Sequence, residues 1–186
     1  MSATGRGTIR NESDFYSTPE WCIDSFLKEF GEPIGSLVYE PCAGNGVIIK
    51  SLHKNFKSLS IKANEIRQEE TQNLYQAGAD GVLSMDFLDF KGSNPFIDLV
   101  ISNPPYSIAK EIIEKCFEYS PKAEIVMLLR LGFLESQKRK QFWDKHPLTQ
   151  LYPLLKRPSF TGKGTDATAY GWFVWSKYRS PLIKPI

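Results

Sequence analysis

The chain has 186 residues, 41% of them apolar and 24% charged, which suffices to bury one full core and excludes a disordered tail or a collagen-like rod. No window approaches the roughly 18 to 20 uninterrupted apolar residues of a bilayer-spanning helix, and the start of the chain, MSATGRGTIRNESDF, has no apolar stretch for a secretory signal. The expectation is a soluble cytoplasmic protein with no membrane association. Cys22, Cys42 and Cys116 stand too far apart in sequence for a disulfide framework or a Cys-x-x-Cys metal pair. With His53 and His146 the only histidines, zinc chemistry and histidine-dependent triads have little to work with.

The formal net charge of +2 conceals an asymmetry. Residues 1–120 carry 11 Lys and Arg against 17 Asp and Glu, a net of −6, while residues 121–186 carry 12 against 4, a net of +8. A basic C-terminal third suits a polyanion such as nucleic acid; a scatter of solvated lysines is the competing reading.

In chain order, residues 1–14 read as a flexible leader and 15–186 as one domain. Trp21, Ile23, Phe26, Leu27 and Phe30 recur at helical spacing, with Thr18 as N-cap, Pro19 at the first helical position and Gly31 as stop. Short β-like runs then alternate with helical stretches: a strand over Ser36–Glu40, a helix over Val47–Asn55, a strand over Ser60–Glu65, a helix over Glu69–Gln76 and a strand over Gly81–Ser84. Ile97–Ser102 is apolar on both faces, as a buried parallel strand should be. Ala109–Tyr119 follows as a helix, Glu124–Leu129 as a buried strand and Glu135–Lys145 as a charged helix. Leu148–Leu155 and Ala169–Ser176 read as strands whose Gly-rich connection, Phe160–Gly164, is too short for a crossover helix, which predicts antiparallel pairing. The alternation predicts an open α/β sheet with its ligand beyond the carboxyl ends of the strands.

The unusual residues gather at those ends. Glu40 leads into Pro41-Cys42-Ala43-Gly44-Asn45-Gly46 and then a helix, a loop of small residues that lets backbone approach a ligand closely. It lacks the third glycine of the dinucleotide fingerprint. Asn64-Glu65-Ile66 places a carboxylate about 20 residues further on, where a ribose diol accepts such a partner. Met85-Asp86-Phe87-Leu88 offers an acceptor and a ring to an adenine. Taken singly, each also reads as an ordinary turn or surface acid.

Ser102-Asn103-Pro104-Pro105-Tyr106, directly after a buried strand, is more specific. Two prolines stiffen the turn and remove two N–H donors, so the Asn103 side-chain oxygen and the Pro104 carbonyl can be aimed as acceptors at one point. Tyr106 adds a flat apolar face. Two acceptors and a stacking ring suit a planar, conjugated NH2 group.

These motifs, in this order, resemble the S-adenosylmethionine-dependent amino-methyltransferases, and among them the DNA adenine-N6 methyltransferases of the gamma motif order found in phage and restriction-modification systems. Tyr16-Ser17-Thr18-Pro19 is similar to that group's amino-terminal cofactor motif, Glu40 to Gly46 to its Gly-rich motif, Glu65 and Ile66 to the ribose-binding motif, Asp86 and Phe87 to the adenine-binding loop, and Asn103-Pro104-Pro105-Tyr106 to the catalytic tetrad. The resemblance implies a Rossmann-like class I methyltransferase fold with a mostly parallel seven-stranded sheet and an antiparallel last strand. It implies S-adenosylmethionine as cofactor, S-adenosylhomocysteine as product, no metal, and transfer to a flipped or unpaired adenine of DNA. Asn103 is implied to touch both cofactor and target.

The family places a base-stacking aromatic late in the chain, and Arg157-Pro158-Ser159-Phe160 offers Phe160, which reads equally as a core plug at a strand end. The long target-recognition domain of sequence-specific members is absent, leaving Lys138, Arg139, Lys140, Lys156, Arg157 and Lys163 as candidate DNA contacts, with a separate specificity subunit as the alternative. Asn-Pro-Pro-Tyr also occurs in enzymes that methylate RNA bases or protein glutamine, and a non-catalytic cofactor-binding or DNA-binding subunit is a further reading. Pro41-Cys42 does not suggest a cytosine-C5 enzyme: the cysteine sits in the cofactor loop, and a lone-pair nitrogen needs no covalent assistance. Cys116, spaced with Ile112 and Ile113, reads as core.

Overall fold

In the computed structural model, residues 17–160, 164 and 166–186 are described; Tyr16 and Lys163 lie outside them. Eight strands form one sheet: β1 (Leu37–Glu40), β2 (Ser60–Asn64), β3 (Gly81–Leu83), β4 (Leu99–Ser102), β5 (Glu124–Arg130), β6 (Gln150–Pro153), β7 (Tyr170–Trp175) and β8 (Leu182–Ile183). Their order is β3-β2-β1-β4-β5-β7-β6-β8. β1 to β5 run parallel, β7 is antiparallel to β5 and β6, and β8 pairs parallel with β6. This is the expected Rossmann-like α/β sheet with a reversed seventh strand. The count of seven is corrected to eight: Leu182–Ile183 adds an edge strand, short because Pro181 and Pro185 flank it and cannot donate to a ladder.

The sheet separates two apolar layers. Along β5, Val126 and Leu128 face one layer with helices α1 (Glu20–Phe30), α2 (Val47–Asn55) and α3 (Thr71–Ala77), while Ile125, Met127 and Leu129 face the other with α4 (Ala109–Tyr119) and α5 (Lys140–Lys145). Burial on both faces explains why β4 and β5 read as continuous apolar runs. At the base of the sheet the fully buried carboxylate of Glu124 accepts from Arg179 at 2.6 Å, and Arg179 also donates to the carbonyl oxygen of Phe30 at 2.8 Å. Glu124 shares the face of Val126 and Leu128, so the first core ends in a paired rather than an orphaned charge.

Two expectations are corrected here. Thr18 is not the N-cap of α1: the helix starts at Glu20 with Pro19 in the cap position, and no side chain caps it. The charged helix over Glu135–Lys145 is broken: after a 3₁₀ turn at Leu131–Leu134, the segment forms a second one at Gln137–Arg139 and becomes α-helical only at Lys140–Lys145. Ser136, at φ +98° with its hydroxyl accepting from the Lys138 N–H, interrupts the helical path. Only Phe142 of α5 is buried, so no continuous apolar stripe supports a longer helix.

Candidate cofactor and substrate site

β1, β2 and β4 carry the loops that meet at one end of the sheet. After β1 the chain turns through Gly44 at φ +57° and Gly46 at φ +78°, conformations favourable only without a Cβ. At Gly46 a Cβ would stand 2.7 Å from the Ala77 Cβ, so this glycine lets the start of α2 press against α3. Gly44 faces the site, and its N–H donates to Glu65 Oε2 at 2.7 Å. The other oxygen, Oε1, accepts from the backbone N–H of Arg67 at 3.2 Å and its Nε at 2.9 Å, and Arg67 is itself paired with Glu70. Asn64 braces the loops from behind, its Nδ2 donating to the carbonyl oxygens of Pro41 at 3.1 Å and Met85 at 3.0 Å. Asp86 caps the turn Phe87–Asp89 by accepting from the Leu88 N–H at 2.9 Å, while Phe87 packs into the second core against Tyr39 and Tyr119.

After β4, the hydroxyl of Ser102 donates to the Cys42 carbonyl oxygen at 3.4 Å, and Asn103 Nδ2 donates to Thr18 Oγ1 at 3.0 Å. Asn103 Oδ1 is buried with no hydrogen-bond partner among the described residues. The Tyr106 hydroxyl, also buried, lies beside the Asn103 side chain but outside hydrogen-bond geometry. The Tyr106 ring lies 5.5 Å from that of Tyr170 and 6.3 Å from that of Phe160.

These loops enclose a cavity of about 530 Å3. Thr18, Glu40, Pro41, Cys42, Ala43, Gly44, Glu65, Ile66, Asp86, Phe87, Asn103, Pro104, Pro105 and Tyr106 all line it. Pro19 and Gly46 do not: one caps α1 and the other packs against α3. Ser17, Asn45, Asn64 and Met85, which belong to the motifs named above, line it as well, whereas Val47, Ile48, Arg67, Ser107 and Ile108 in the wall belong to none of them. Arg67, two residues beyond Glu65, had that proximity as its one available signal.

The wall carries three carboxylates, Glu40, Glu65 and Asp86. Glu40 is 1% exposed, its Oε2 has no hydrogen-bond partner among the described residues, and burial, with the neighbouring Glu65 carboxylate, holds its carboxyl well above the usual carboxylate range. Burial and the same two carboxylates push the Cys42 thiol up, so it is not a thiolate at neutral pH. Burial likewise keeps the Tyr106 phenol protonated. A pocket of this kind favours a ligand that brings positive charge.

The residues expected to contact DNA lie elsewhere. Arg139 sits on the Phe133 ring and donates to the carbonyl oxygens of Gly132 and Glu135, and Lys140 pairs with Asp144. Lys156 lies over Trp21, whereas Lys138 and Arg157 are exposed. Phe160 is half-buried beside Tyr106 and Tyr170 and packs against the first core, the core position that was one of the two readings of it. The sequence reading also missed Arg130, Asp166 and Tyr170 next to Tyr106.

No protein-family model matches the sequence, and no curated protein matches it. Solved structures are similar. A proposed RNA methyltransferase of Pyrococcus horikoshii superposes with a TM-score of 0.68 at 17% identity, over 94% of each chain. The modification subunit of a proposed type I restriction enzyme from Vibrio vulnificus gives 0.66 at 15% identity over 92% of this chain, which spans 47% of that protein. The 23S rRNA methyltransferase ErmE gives 0.60 at 15% identity, over 90% of this chain and 72% of its own. At such identities the likeness establishes the fold, and the chain has the Rossmann-like α/β fold these methyltransferases share.

Proposed function

We propose that the protein transfers a methyl group from S-adenosylmethionine to the exocyclic N6 amino group of adenine in DNA. The observation that carries the reading is the Asn103 side chain. Its nitrogen end is committed to Thr18, which leaves the buried Oδ1 as an unmatched acceptor in the wall that also holds Glu65 and the Gly44 loop. A buried acceptor without a donor is costly unless a ligand supplies one.

The residues present fit the cofactor. Glu40, with Oε2 unmatched beside Glu65, suits a ligand bearing ammonium and sulfonium charge, and the Glu65 and Asp86 carboxylates in the wall suit ribose hydroxyls and an adenine amine as hydrogen-bond acceptors. When bound, S-adenosylmethionine supplies an electrophilic methyl group on positively charged sulfur. The chain's own part is orientation: Asn103 Oδ1 and the Pro104 carbonyl accept the two amine protons, which concentrates the lone pair on nitrogen, and Tyr106 holds the base plane. Methylation leaves the nitrogen positively charged and strongly acidic, and it then releases a proton to water, so a dedicated base is unnecessary. The net charge of +8 over residues 121–186 suits a nucleic-acid substrate of either kind, and the likeness to a restriction-enzyme modification subunit supports the choice of DNA.

Incubation of purified protein with methyl-labelled S-adenosylmethionine and DNA oligonucleotides, followed by nucleoside mass spectrometry, should yield N6-methyladenine. Asn103→Ala should bind S-adenosylhomocysteine with modest loss yet turn over about 100-fold more slowly or worse, the scale of removing one transition-state hydrogen bond. Robust turnover by that variant would overturn the mechanism. Methylation of RNA or of a glutamine peptide in place of DNA would move the substrate, and cofactor binding without any transfer would mark a non-catalytic subunit.

A further inference from the structure

Beside Tyr106, outside the cavity wall, stands a guanidinium with donors to spare. Arg130 ends β5, is exposed, and lies with its Cζ 5.0 Å from the centre of the Tyr106 ring. Its Nε donates to the Tyr170 hydroxyl at 3.2 Å, and that hydroxyl donates onward to Asp166 Oδ2 at 2.7 Å. Asp166 Oδ1 accepts from the backbone and the hydroxyl of Thr168. The chain Thr168–Asp166–Tyr170 therefore sets the Tyr170 oxygen as an acceptor and fixes the guanidinium plane. Register explains the arrangement, because Arg130 and Tyr170 are paired across β5 and β7.

Arg130 differs from the chain's other well-placed arginines. Arg67 is paired with Glu65 and Glu70, Arg139 is bound to two carbonyl oxygens, and Arg179 is bound to both oxygens of Glu124. Among the described residues the Nη1 and Nη2 of Arg130 make no hydrogen bond, and no carboxylate lies within ion-pair distance. A ring stack and one hydrogen bond orient this cation, and the Asp166 carboxylate reaches it through the Tyr170 hydroxyl rather than by a direct ion pair, which leaves Nη1 and Nη2 open. Such a preorganised fork matches an anion with paired oxygens, and phosphate is the one that accompanies every nucleotide.

We propose that Arg130 binds a backbone phosphate flanking the target adenine, so that Tyr106 and Arg130 hold the base and the phosphate of one nucleotide. The inference rests on the DNA reading above. It makes Arg130 a substrate-binding residue, with Tyr170 and Asp166 as its positioning residues.

The test uses the full chain and a single-stranded DNA oligonucleotide with one adenine, made with natural phosphates or with one uncharged methylphosphonate on the 5′ or the 3′ side of that adenine. For the wild type, one of the two methylphosphonates should raise KM by about tenfold or more, as expected for loss of a charge-assisted hydrogen bond. Arg130→Gln should raise KM similarly on the natural oligonucleotide, show no further rise on that methylphosphonate, and keep its S-adenosylhomocysteine affinity; Arg130→Lys should fall between. A methylphosphonate penalty that persists in full in Arg130→Gln would make Arg130 only a brace for Tyr106 and overturn the inference. So would a wild type indifferent to both methylphosphonates, a measurement that needs no variant to fold. Absence of transfer from the wild type to the natural oligonucleotide would instead remove the functional reading, and this inference with it.

Discussion

Asn103 and Thr18, 85 residues apart in the chain, are joined by a 3.0 Å hydrogen bond from the Asn103 amide nitrogen to the Thr18 hydroxyl oxygen. That bond decides which end of the amide is spent and which stays available. It also explains why Thr18 is buried just ahead of α1 while capping nothing.

Thr18→Val should therefore let the Asn103 amide turn, so that its donor end sometimes faces the amine. A neutral hydrogen bond of about 1 kcal/mol corresponds to a fall in kcat of roughly fivefold. Thr18→Ser, which restores the hydroxyl, should recover most of it. Single-turnover rates at saturating cofactor check this, and a Thr18→Val enzyme with wild-type kcat would dismiss the bond as incidental.

Glu65 joins two loops through its own carboxylate, with Gly44 on one oxygen and Arg67 on the other. Glu65→Ala should weaken S-adenosylhomocysteine binding by about 1.5 to 3 kcal/mol, the range for a charged hydrogen-bonding partner. Glu65→Gln should lose less, because its amide oxygen still accepts from Gly44. Calorimetry on the folded variants reads both, and unchanged affinity in Glu65→Ala would remove the residue from the site.

Much of this site was legible because its signals are local. Glycines, prolines and lone polar residues ending apolar runs mark strand ends, and strand ends converge in an open parallel sheet. Val47–Asn55 and Ala109–Tyr119 carry clean helical periodicity and form helices with those bounds. What stayed hidden depends on contacts distant in sequence. Thr18 has the chemistry of an N-cap and serves Asn103 instead. Arg130, Tyr170 and Asp166 meet only once β5 pairs with β7, in a register that no local pattern encodes. Glu135–Lys145 has helix-forming composition, yet Ser136 takes a positive φ and the segment buries too little to override it.

Glu40 makes the protein's stability depend on pH in an uncommon direction. Burial, aided by Glu65, raises its folded pKa well above the ordinary 4.5. Between those two values the folded form binds more protons than the unfolded one, so stability is full below the ordinary value and declines as pH rises through the folded one. Glu40→Gln, neutral throughout, should lose less Tm than the wild type between about pH 5 and about pH 8. A cationic ligand should reverse the shift, so S-adenosylmethionine binding at about pH 7 should release protons in the wild type and fewer in Glu40→Gln. Calorimetry in two buffers of different ionisation enthalpy measures this. Equal proton release by both proteins would show that Glu40 does not titrate on binding.

Recognition of a DNA sequence needs side chains on an element that enters a groove, whereas phosphate contacts position a protein without reading bases. The basic segment expected to fill that role ends in a six-residue helix, with Arg139 committed to its own turn and Lys140 to Asp144. The exposed Lys138, Arg157 and Lys156, together with Arg130, are phosphate-binding chemistry, and Phe160 places a second ring beside Tyr106. The isolated chain should therefore show short or relaxed sequence preference and act best on unpaired DNA, where extruding a base costs least. Four phosphate contacts to a single strand give a slope of about −3 for log affinity against log salt concentration. Sequencing of modified adenines after reaction with random-sequence duplex and single-stranded DNA, with affinities titrated against salt, checks each part. Strict modification of one site of about four or more base pairs, beyond what phosphate contacts alone allow, would overturn the prediction. A chain that binds cofactor yet methylates DNA only when a second subunit is added would transfer recognition to that subunit.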